Sequence, residues 1–316
     1  MAKAAPISET VDRNDAQAWF AEVLRVRFDE VLQYLDAALK PSGVDAIHDM
    51  RVAIRRLRSV LRDFASVVDK RPLAELTKAL KRLAGMLGRV RDLDVMIDEL
   101  TKHEKDADGS TLEGIRLIID DLIERRAREL KSLENTVTGE FVLDLRTRFT
   151  ASIDSALRQR RLFEHKNIAD EGSRTIHSCL EEFQELSDAF YRPYSTKRLH
   201  RLRIAGKHLR YAIELFEPQF GDGLKPFVDG MKKMQSHLGE IHDCDVWVER
   251  MRLIAARKAK VEPDKLKHTA AVWLMTRFVE RRTGSYSSSL ELWSEWETAG
   301  FFNDLNAIVS RKGSAD

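Results

Sequence analysis

Apolar residues recur at three- and four-residue spacing along almost the whole chain, and this spacing places them on one face of an α-helix. The alternation of apolar and polar residues that is typical of a half-buried strand is absent from the sequence. Proline- and glycine-containing breaks interrupt the pattern, for example at 41–43, 192–193 and 262–263. The pattern therefore predicts an all-α fold, with helices at about 12–39, 44–68, 72–103, 110–135, 141–163, 172–191, 194–216, 225–259, 263–282, 287–298 and 301–311.

Two sequence blocks each occur twice, in the same order and with nearly the same separation. The first block, residues 48–58, matches residues 200–210, and the second block, residues 87–95, matches residues 238–246. A repeat on this scale indicates two copies of one helical bundle. We assign a single domain to 12–311, with the first repeat at about 12–163, the second at about 168–311, and flexible termini at 1–11 and 312–316.

A row of basic residues follows one side of the helix in each copy of the first block. At about 100° per residue the row spans a narrow arc that flanks the apolar face. Like charges one turn apart repel by about 0.2–0.5 kcal/mol, so a row kept over successive turns in both copies indicates that an anion binds there. The first row comprises His48, Arg51, Arg55, Arg58 and Arg62; the second comprises His200, Arg203, Lys207 and Arg210, with Glu214 at the position of Arg62.

The charge balance shows that this basicity is local. The chain has 53 Lys and Arg against 51 Asp and Glu, a net charge of +2, whereas a general nucleic-acid binder is usually strongly basic. Successive residues of a row rise about 4.5–6 Å along the helix, which suits an extended chain of phosphates. Arginine adds bidentate donors for phosphate oxygens.

The second block contributes further basic, small and acidic residues. A Lys-Arg pair just before the first copy and a Lys-Lys pair just before the second would extend the basic surface. The glycines would let a neighbouring helix approach closely, and the aspartates would orient Arg or His side chains. The basic pairs are Lys81, Arg82, Lys232 and Lys233; the supporting residues are Gly88, Gly239, Asp92, Asp94, Asp243 and Asp245.

Three alternatives stay open. A metal-dependent phosphohydrolase would use His237 and His242 with Asp243 and Asp245, but the two histidines are five residues apart and point about 140° away from each other. RNA binding would need aromatic side chains for base stacking, and tyrosines near the second row have no counterpart in the first repeat. A scaffold protein would recruit partners through Trp273, Trp293 and Trp296, although tryptophans at helical spacing are more often core residues.

The double block, His-x-x-Arg-x-x-x-Arg/Lys-x-x-Arg followed by Leu-Gly-x-x-Arg/His-Asp-x-Asp-Val, resembles the CHAD family, the conserved histidine α-helical domain. The resemblance covers about 12–311 and implies two pseudo-symmetric antiparallel four-helix bundles with a central basic groove or pore that binds inorganic polyphosphate. Carried over by position, the pore is lined by His48, Arg51, Arg55, Arg58, His200, Arg203, Lys207 and Arg210.

The resemblance also implies a location. Proteins of the family are associated with polyphosphate or polyhydroxyalkanoate granules, so granule-associated proteins are candidate partners. We expect a stand-alone cytoplasmic domain without an N-terminal triphosphate-tunnel domain, a membrane segment, a catalytic residue, a cofactor or a metal. Cys179 and Cys244 lie in apolar helical patterns and are expected to be reduced core residues.

Overall fold

The structure is a computed structural model that describes residues 16–40, 42–63, 70–158, 168–257 and 260–310, together with Ala5 and Ile7. The described residues form helices, with no strand among them, so the predicted all-α class is confirmed. The expected flexible termini fall, apart from Ala5 and Ile7, outside the described residues. The same holds for the outermost predicted residues of several helices, at 12–15, 64–68, 159–163, 258–259 and 311.

The helices follow the predicted order, but the helix predicted at 12–39 is divided into two at Tyr34, and the helix predicted at 172–191 ends at Glu185 and is followed by a 3-10 turn. Three-residue to five-residue 3-10 turns lie at 104–106, 187–191 and 221–224. In chain order the helices are α1 (Ala16–Gln33), α2 (Leu35–Ala38), α3 (Val44–Asp63), α4 (Lys70–His103), α5 (Gly109–Thr136), α6 (Gly139–Arg158), α7 (Ile168–Glu185), α8 (Thr196–Phe220), α9 (Lys225–Ala255), α10 (Glu262–Ala299) and α11 (Phe301–Ser310).

Helix α10 differs from the prediction, because one helix spans the region where the sequence predicts two. The predicted break around Gly284 does not occur. A helical glycine costs about 1 kcal/mol relative to alanine. Burial on both sides of Gly284 outweighs that cost, since Phe278 and Leu292 are buried, and the Tyr286 hydroxyl donates a hydrogen bond to the Phe190 carbonyl. Helix α8 likewise continues past its predicted end and stops at Gly221, whose φ of +69° is strained for other residues.

The described chain divides into two compact units, which do not match the two sequence repeats at every point. The first unit contains residues up to 101 and 119–168; the second contains 102–118 and the residues from 169 onward. Residues 102–118 belong to the second unit because the first half of α5 packs closely on α10. A Cβ added at Gly114 would lie 2.1 Å from the carbonyl oxygen of Leu266, so glycine permits this approach.

Each unit has its own apolar core. In the first unit α1 packs on α3, and Phe28 of α1 stacks on Phe149 of α6 with ring centroids 3.8 Å apart. In the second unit α9 packs on both α8 and α10. Side chains at three- and four-residue spacing form these cores, as the periodicity predicts. The fully buried ones include Phe20, Ile47, Met50, Ile54, Leu57, Phe183, Phe190, Phe216 and Phe278.

The tryptophans considered as a docking surface lie largely in the core. Trp293 is buried and stacks on Phe190, with centroids 5.0 Å apart, and Trp296 is buried and stacks on Phe301 at 4.3 Å. Trp273 is half-buried and contacts the edge of His103. The two cysteines are free thiols and are buried. No helix in the described part of the chain is long and apolar enough to cross a membrane.

Candidate polyanion-binding site

The basic row of α3 lies beside the buried face of that helix. His48, Arg51 and Arg55 are half-buried, and Arg58 is exposed. Neighbouring positions of α3 such as Ile47 are fully buried. The row therefore begins at the edge of the core and reaches solvent towards its end.

Arg51 is held in place by the second block. Its Nη1 donates to the Leu87 carbonyl at 3.4 Å and to Asp92 Oδ1 at 3.3 Å. A Cβ added at Gly88 would lie 3.0 Å from the same Nη1. Gly88 thus makes room for the Arg51 guanidinium, which is a different role from the close helix approach expected for it.

An arginine outside the row, Arg91 of α4, lies close to His48 and Arg51. Burial lowers the pKa of His48 below its usual value, and Arg91 lowers it further. Burial also lowers the pKa of Arg51; Asp92 opposes that shift, and Arg55 and Arg91 add to it. We call His48, Arg51, Arg55 and Arg91 the first cationic cluster.

The second unit has an equivalent cluster on α8 and α9. Nδ1 of His200 lies 3.2 Å from Nδ1 of His242, and the ring centroids are 4.4 Å apart. Burial lowers the pKa of His200, with further lowering by Arg203 and Lys207. Burial, Arg203, His200 and Lys207 lower the pKa of His242 to about 4. We call His200, Arg203, Lys207 and His242 the second cationic cluster.

Arg91 and His242 are not among the residues that the sequence pattern predicts for the polyanion site. Each immediately precedes the first aspartate of its copy of the second block, Asp92 or Asp243. A basic residue at that place in both copies was the available signal. That signal alone does not predict an anion site, because a one-dimensional pattern does not show that α4 and α9 face the basic rows.

The far ends of the two rows are paired with acidic residues. Arg62 lies 2.6 Å from an oxygen of buried Asp63. Arg210 lies 2.9 Å from Glu214 and places its guanidinium over the Tyr211 ring, 4.6 Å from the centroid. These two charges are therefore partly neutralised within the protein.

The other predicted basic residues are exposed. Lys81, Arg82, Lys232 and Lys233 lie on the surface of α4 or α9. Lys232 lies 3.0 Å from Asp229, one turn earlier. Their contribution to anion binding stays a prediction.

The second aspartate of each block forms a long-range ion pair. Asp94 pairs with Arg126 of α5, and Asp245 Oδ1 accepts a hydrogen bond from Arg282 Nε of α10 at 2.6 Å. Arg282 also donates to the Pro193 carbonyl at 2.7 Å. Each ion pair therefore connects the helix that contains the second block, α4 or α9, to the helix that follows it, α5 or α10. Asp243 is half-buried beside Cys244, whose pKa burial raises to about 11.

The arrangement can hold an anion electrostatically. Among the described residues, no three His, Cys, Asp or Glu side chains form a group that could hold a metal ion. Guanidinium and imidazole groups from two helices lie close together in the first cluster, and guanidinium, ammonium and imidazole groups do so in the second. Such groups bind phosphate oxygens through charge-assisted hydrogen bonds.

Comparison with known proteins identifies the family. The CHAD domain model matches residues 22–252, so the chain belongs to the CHAD domain family. The chain is 24% identical over 244 residues to the uncharacterized proteins MT2285 and Rv2226 of Mycobacterium tuberculosis. The matched region covers 73% of this chain and 45% of each of those proteins, so the chain spans about half their length.

Solved structures of CHAD domains confirm the all-α fold, while the pseudo-symmetry of two four-helix bundles stays a prediction. The CHAD domain from the plant Ricinus communis superimposes with a TM-score of 0.68 at 18% identity, covering 90% of this chain and 96% of that one. PptA from Streptomyces chartreusis superimposes with a TM-score of 0.64 at 14% identity, covering 87% and 98%. The groove or pore implied between the two repeats stays a prediction.

Proposed function

We propose that this protein binds inorganic polyphosphate through its two cationic clusters. Membership of the CHAD domain family supports a role related to polyphosphate. The observation that carries the proposal is the repeated cluster itself. In each unit a histidine and two further basic residues of one helix, α3 or α8, lie close to one basic residue of the next long helix, α4 or α9.

The electrostatics of each cluster favour an anionic ligand. In both units burial, and after it neighbouring cations, lower the histidine pKa, which means that the protonated state is disfavoured in the free protein. A polyanion would relieve this repulsion and stabilise the protonated forms. Because the interaction is with charge and not with a base, binding should weaken steeply as salt rises.

The aromatic residues near the clusters do not repeat, which argues against nucleic acid. Tyr194 is exposed near the second cluster, whereas Ser42 stands at the matching position of the first repeat. Tyr211 is buried. Single-stranded nucleic-acid binding usually depends on stacking of successive bases on aromatic rings. A polymer of phosphates without bases fits both clusters equally.

The first experiment compares polyphosphate with RNA of matched charge at several salt concentrations. We expect polyphosphate to bind more tightly at every salt concentration, with a steep dependence of the logarithm of affinity on the logarithm of salt. Equal affinity for the two polymers would contradict the polyphosphate assignment and favour a general polyanion-binding scaffold.

The second experiment reverses one charge in each cluster with the double variant R55E/K207E. The matched control, R128E/R277E, makes the same change in net charge at two exposed positions outside the clusters, one in each unit. We expect the cluster variant to lose at least about tenfold in polyphosphate affinity, because each reversal replaces attraction by repulsion. The proposal fails if both variants lose affinity equally.

We propose granule localisation as a consequence of this binding. A fluorescent fusion of the wild-type chain should co-localise with polyphosphate granules, and the R55E/K207E fusion should be diffuse. Co-localisation of both fusions with polyhydroxyalkanoate granules would show that another surface directs the protein there.

A further inference from the structure

The second unit contains a cavity that is lined by His200 and His242 of the second cationic cluster and by further residues outside that cluster. It has a volume of about 810 Å³ and lies where α8 begins, between that helix, α9 and α10. Binding cavities for small organic ligands are usually about 300–1,000 Å³. The cavity is therefore large enough for a ligand of nucleotide size.

One wall of the cavity is apolar. Val246 and Val248 of α9 and Val279 of α10 line it, and Val246 and Val279 are exposed to solvent. The ring of Tyr194, at 93% exposure, stands at the rim. An exposed apolar wall beside an aromatic ring is suited to the face of a planar organic group.

The side of the cavity formed by the start of α8 is cationic. Lys197 lies in the first turn of α8, where the helix dipole is positive, and His200 follows one turn later. His242 of α9 lines the same side. Phosphate groups would be attracted to this side.

Acidic and hydroxyl side chains complete the lining. Asp245 is tied to Arg282, and Glu249 is exposed at the cavity. Thr196 and Thr283 add hydroxyl groups. Carboxylates and hydroxyls can hydrogen-bond to a sugar or to the amino groups of a base, whereas they are poor neighbours for a fatty-acid chain.

The first repeat does not contain the same combination of residues. The residues that correspond to Tyr194 and Lys197 are Ser42 and Asp45. Both the aromatic rim and the first cation are thus confined to the second repeat. A feature found in only one repeat is not explained by the repeated polyphosphate clusters.

We propose that this cavity binds a nucleoside triphosphate, with the base between Tyr194 and the valine wall and the phosphates towards Lys197 and His242. The inference goes beyond the proposed polyphosphate function. The two sites share His200 and His242, but the apolar wall belongs to the cavity alone.

The ligand test compares ATP, adenosine, inorganic tripolyphosphate and a fatty acid by isothermal titration calorimetry in magnesium-free buffer. We expect ATP to bind at least about tenfold more tightly than either adenosine or tripolyphosphate, because stacking and phosphate contacts act together. If tripolyphosphate binds as tightly as ATP, the base is not recognised and the proposal is overturned. Displacement of ATP by the fatty acid overturns it as well.

The variant test fills the cavity. Val279→Trp places a large ring against the apolar wall, and Ile123→Trp is its matched control. Ile123 stands three residues before Arg126, as Val279 stands three residues before Arg282, and the two are 49% and 48% exposed. Because both positions are exposed, neither change should prevent folding, which circular dichroism and thermal unfolding would verify.

We expect Val279→Trp to weaken ATP binding by about tenfold or more and Ile123→Trp to leave it within about twofold. Both variants should keep wild-type affinity for long-chain polyphosphate. Equal effects of the two variants on ATP, or no effect of either, would mean that ATP binds to the cationic clusters as a simple polyanion. If polyphosphate fails to bind the wild-type chain while Val279→Trp still abolishes ATP binding, the proposed function fails and the cavity assignment stands.

Discussion

Nδ1 of His200 lies 3.2 Å from Nδ1 of His242, and the corresponding pair in the first repeat is His48 with Arg91. At this separation one imidazole can donate a hydrogen bond to the other only while at least one ring is neutral. As the pH falls, two histidines of the second cluster can therefore gain a proton, whereas the first cluster has only His48.

The histidine pair predicts how stability depends on pH. The pKa of His242 is about 4 in the folded protein against an ordinary value of 6.5, so the unfolded chain binds more protons between these values. Stability is therefore full above pH 6.5 and falls as the pH decreases towards 4. His242→Gln should reduce this fall in the free energy of unfolding measured with urea, and His237→Gln on the same helix is the control. An unchanged pH dependence in His242→Gln would contradict the prediction.

The same histidines predict that polyphosphate binding takes up protons. A bound polyanion raises the pKa of His48, His200 and His242, each of which is lowered in the free protein by burial and by neighbouring cations. Affinity should therefore increase as the pH falls below the ordinary histidine value. Calorimetry in two buffers with different ionisation enthalpies would measure the proton uptake directly. We expect less uptake in His242→Gln, and zero uptake in the wild type would exclude the coupling.

Gly88→Ala should separate stability from binding. Its Cβ would lie 3.0 Å from Arg51 Nη1, so the guanidinium has to move, and polyphosphate affinity should fall by about fivefold, the effect of one weakened hydrogen bond. Stability should not fall, since alanine is favoured over glycine in a helix by about 1 kcal/mol. Gly85→Ala on the same helix is the control, because a Cβ there meets nothing within 4 Å.

Measurements of thermal unfolding and of affinity on both glycine variants would check this prediction. Gly239→Ala adds a comparison in the second repeat, where the Cβ would lie 4.0 Å from Arg203 Nε, an ordinary contact. We expect little loss of affinity there. A loss in Gly85→Ala equal to that in Gly88→Ala would show that helix propensity, and not the position of Arg51, changes binding.

The basic rows could be predicted from the sequence because each lies within one helix. Periodicity alone relates His48 to Arg51 and Arg55, and the internal repeat carries the same relation to α8. Arg91 could not be assigned in the same way, because its proximity to His48 depends on how α4 packs beside α3. The repeat shows that both copies have a basic residue at this position, but it does not show in which direction the side chain points.

The long-range ion pairs and the boundaries of the two units likewise could not be predicted from the sequence pattern. Arg126 and Arg282 lie outside the two repeated blocks, so nothing in those blocks relates them to Asp94 and Asp245. The membership of 102–118 in the second unit depends on the close contact at Gly114. Local propensity also predicts a break near Gly284 that α10 does not have, because the burial of neighbouring side chains outweighs the cost of a glycine within a helix.

The ion pair between Asp94 and Arg126 should matter more for stability than its counterpart in the second repeat. The Asp94 side chain is 3% exposed and the Asp245 side chain is 17% exposed. Removing one partner of a buried pair leaves an uncompensated charge, at a cost of about 3–5 kcal/mol. We expect urea unfolding to show a loss of that order in Asp94→Ala and a smaller loss in Asp245→Ala.

The double variant D94A/R126M tests the cause of that loss. It removes both charges, so a large part of the stability should return. If the double variant is no more stable than Asp94→Ala, the loss comes from packing around the side chains and not from the unpaired arginine.

Glu214→Gln should raise polyphosphate affinity while lowering stability. Glu214 stands where the first repeat has Arg62, and its carboxylate lies 2.9 Å from Arg210, whose side chain is 11% exposed. Neutralising Glu214 releases the charge of Arg210 for a phosphate, so affinity should rise by about threefold and the salt dependence should steepen by about one ion. Stability should fall by about 1 kcal/mol, because Arg210 loses its partner.

The control for this change is Glu217→Gln, which removes the same charge from the same helix. If Glu217→Gln raises affinity and salt dependence as much as Glu214→Gln does, the gain reflects net charge alone. The double variant R210A/E214Q should lose the gain, because the released cation is then absent. A gain that persists in the double variant would show that Arg210 does not bind the polymer, and the second basic row would then end at Lys207.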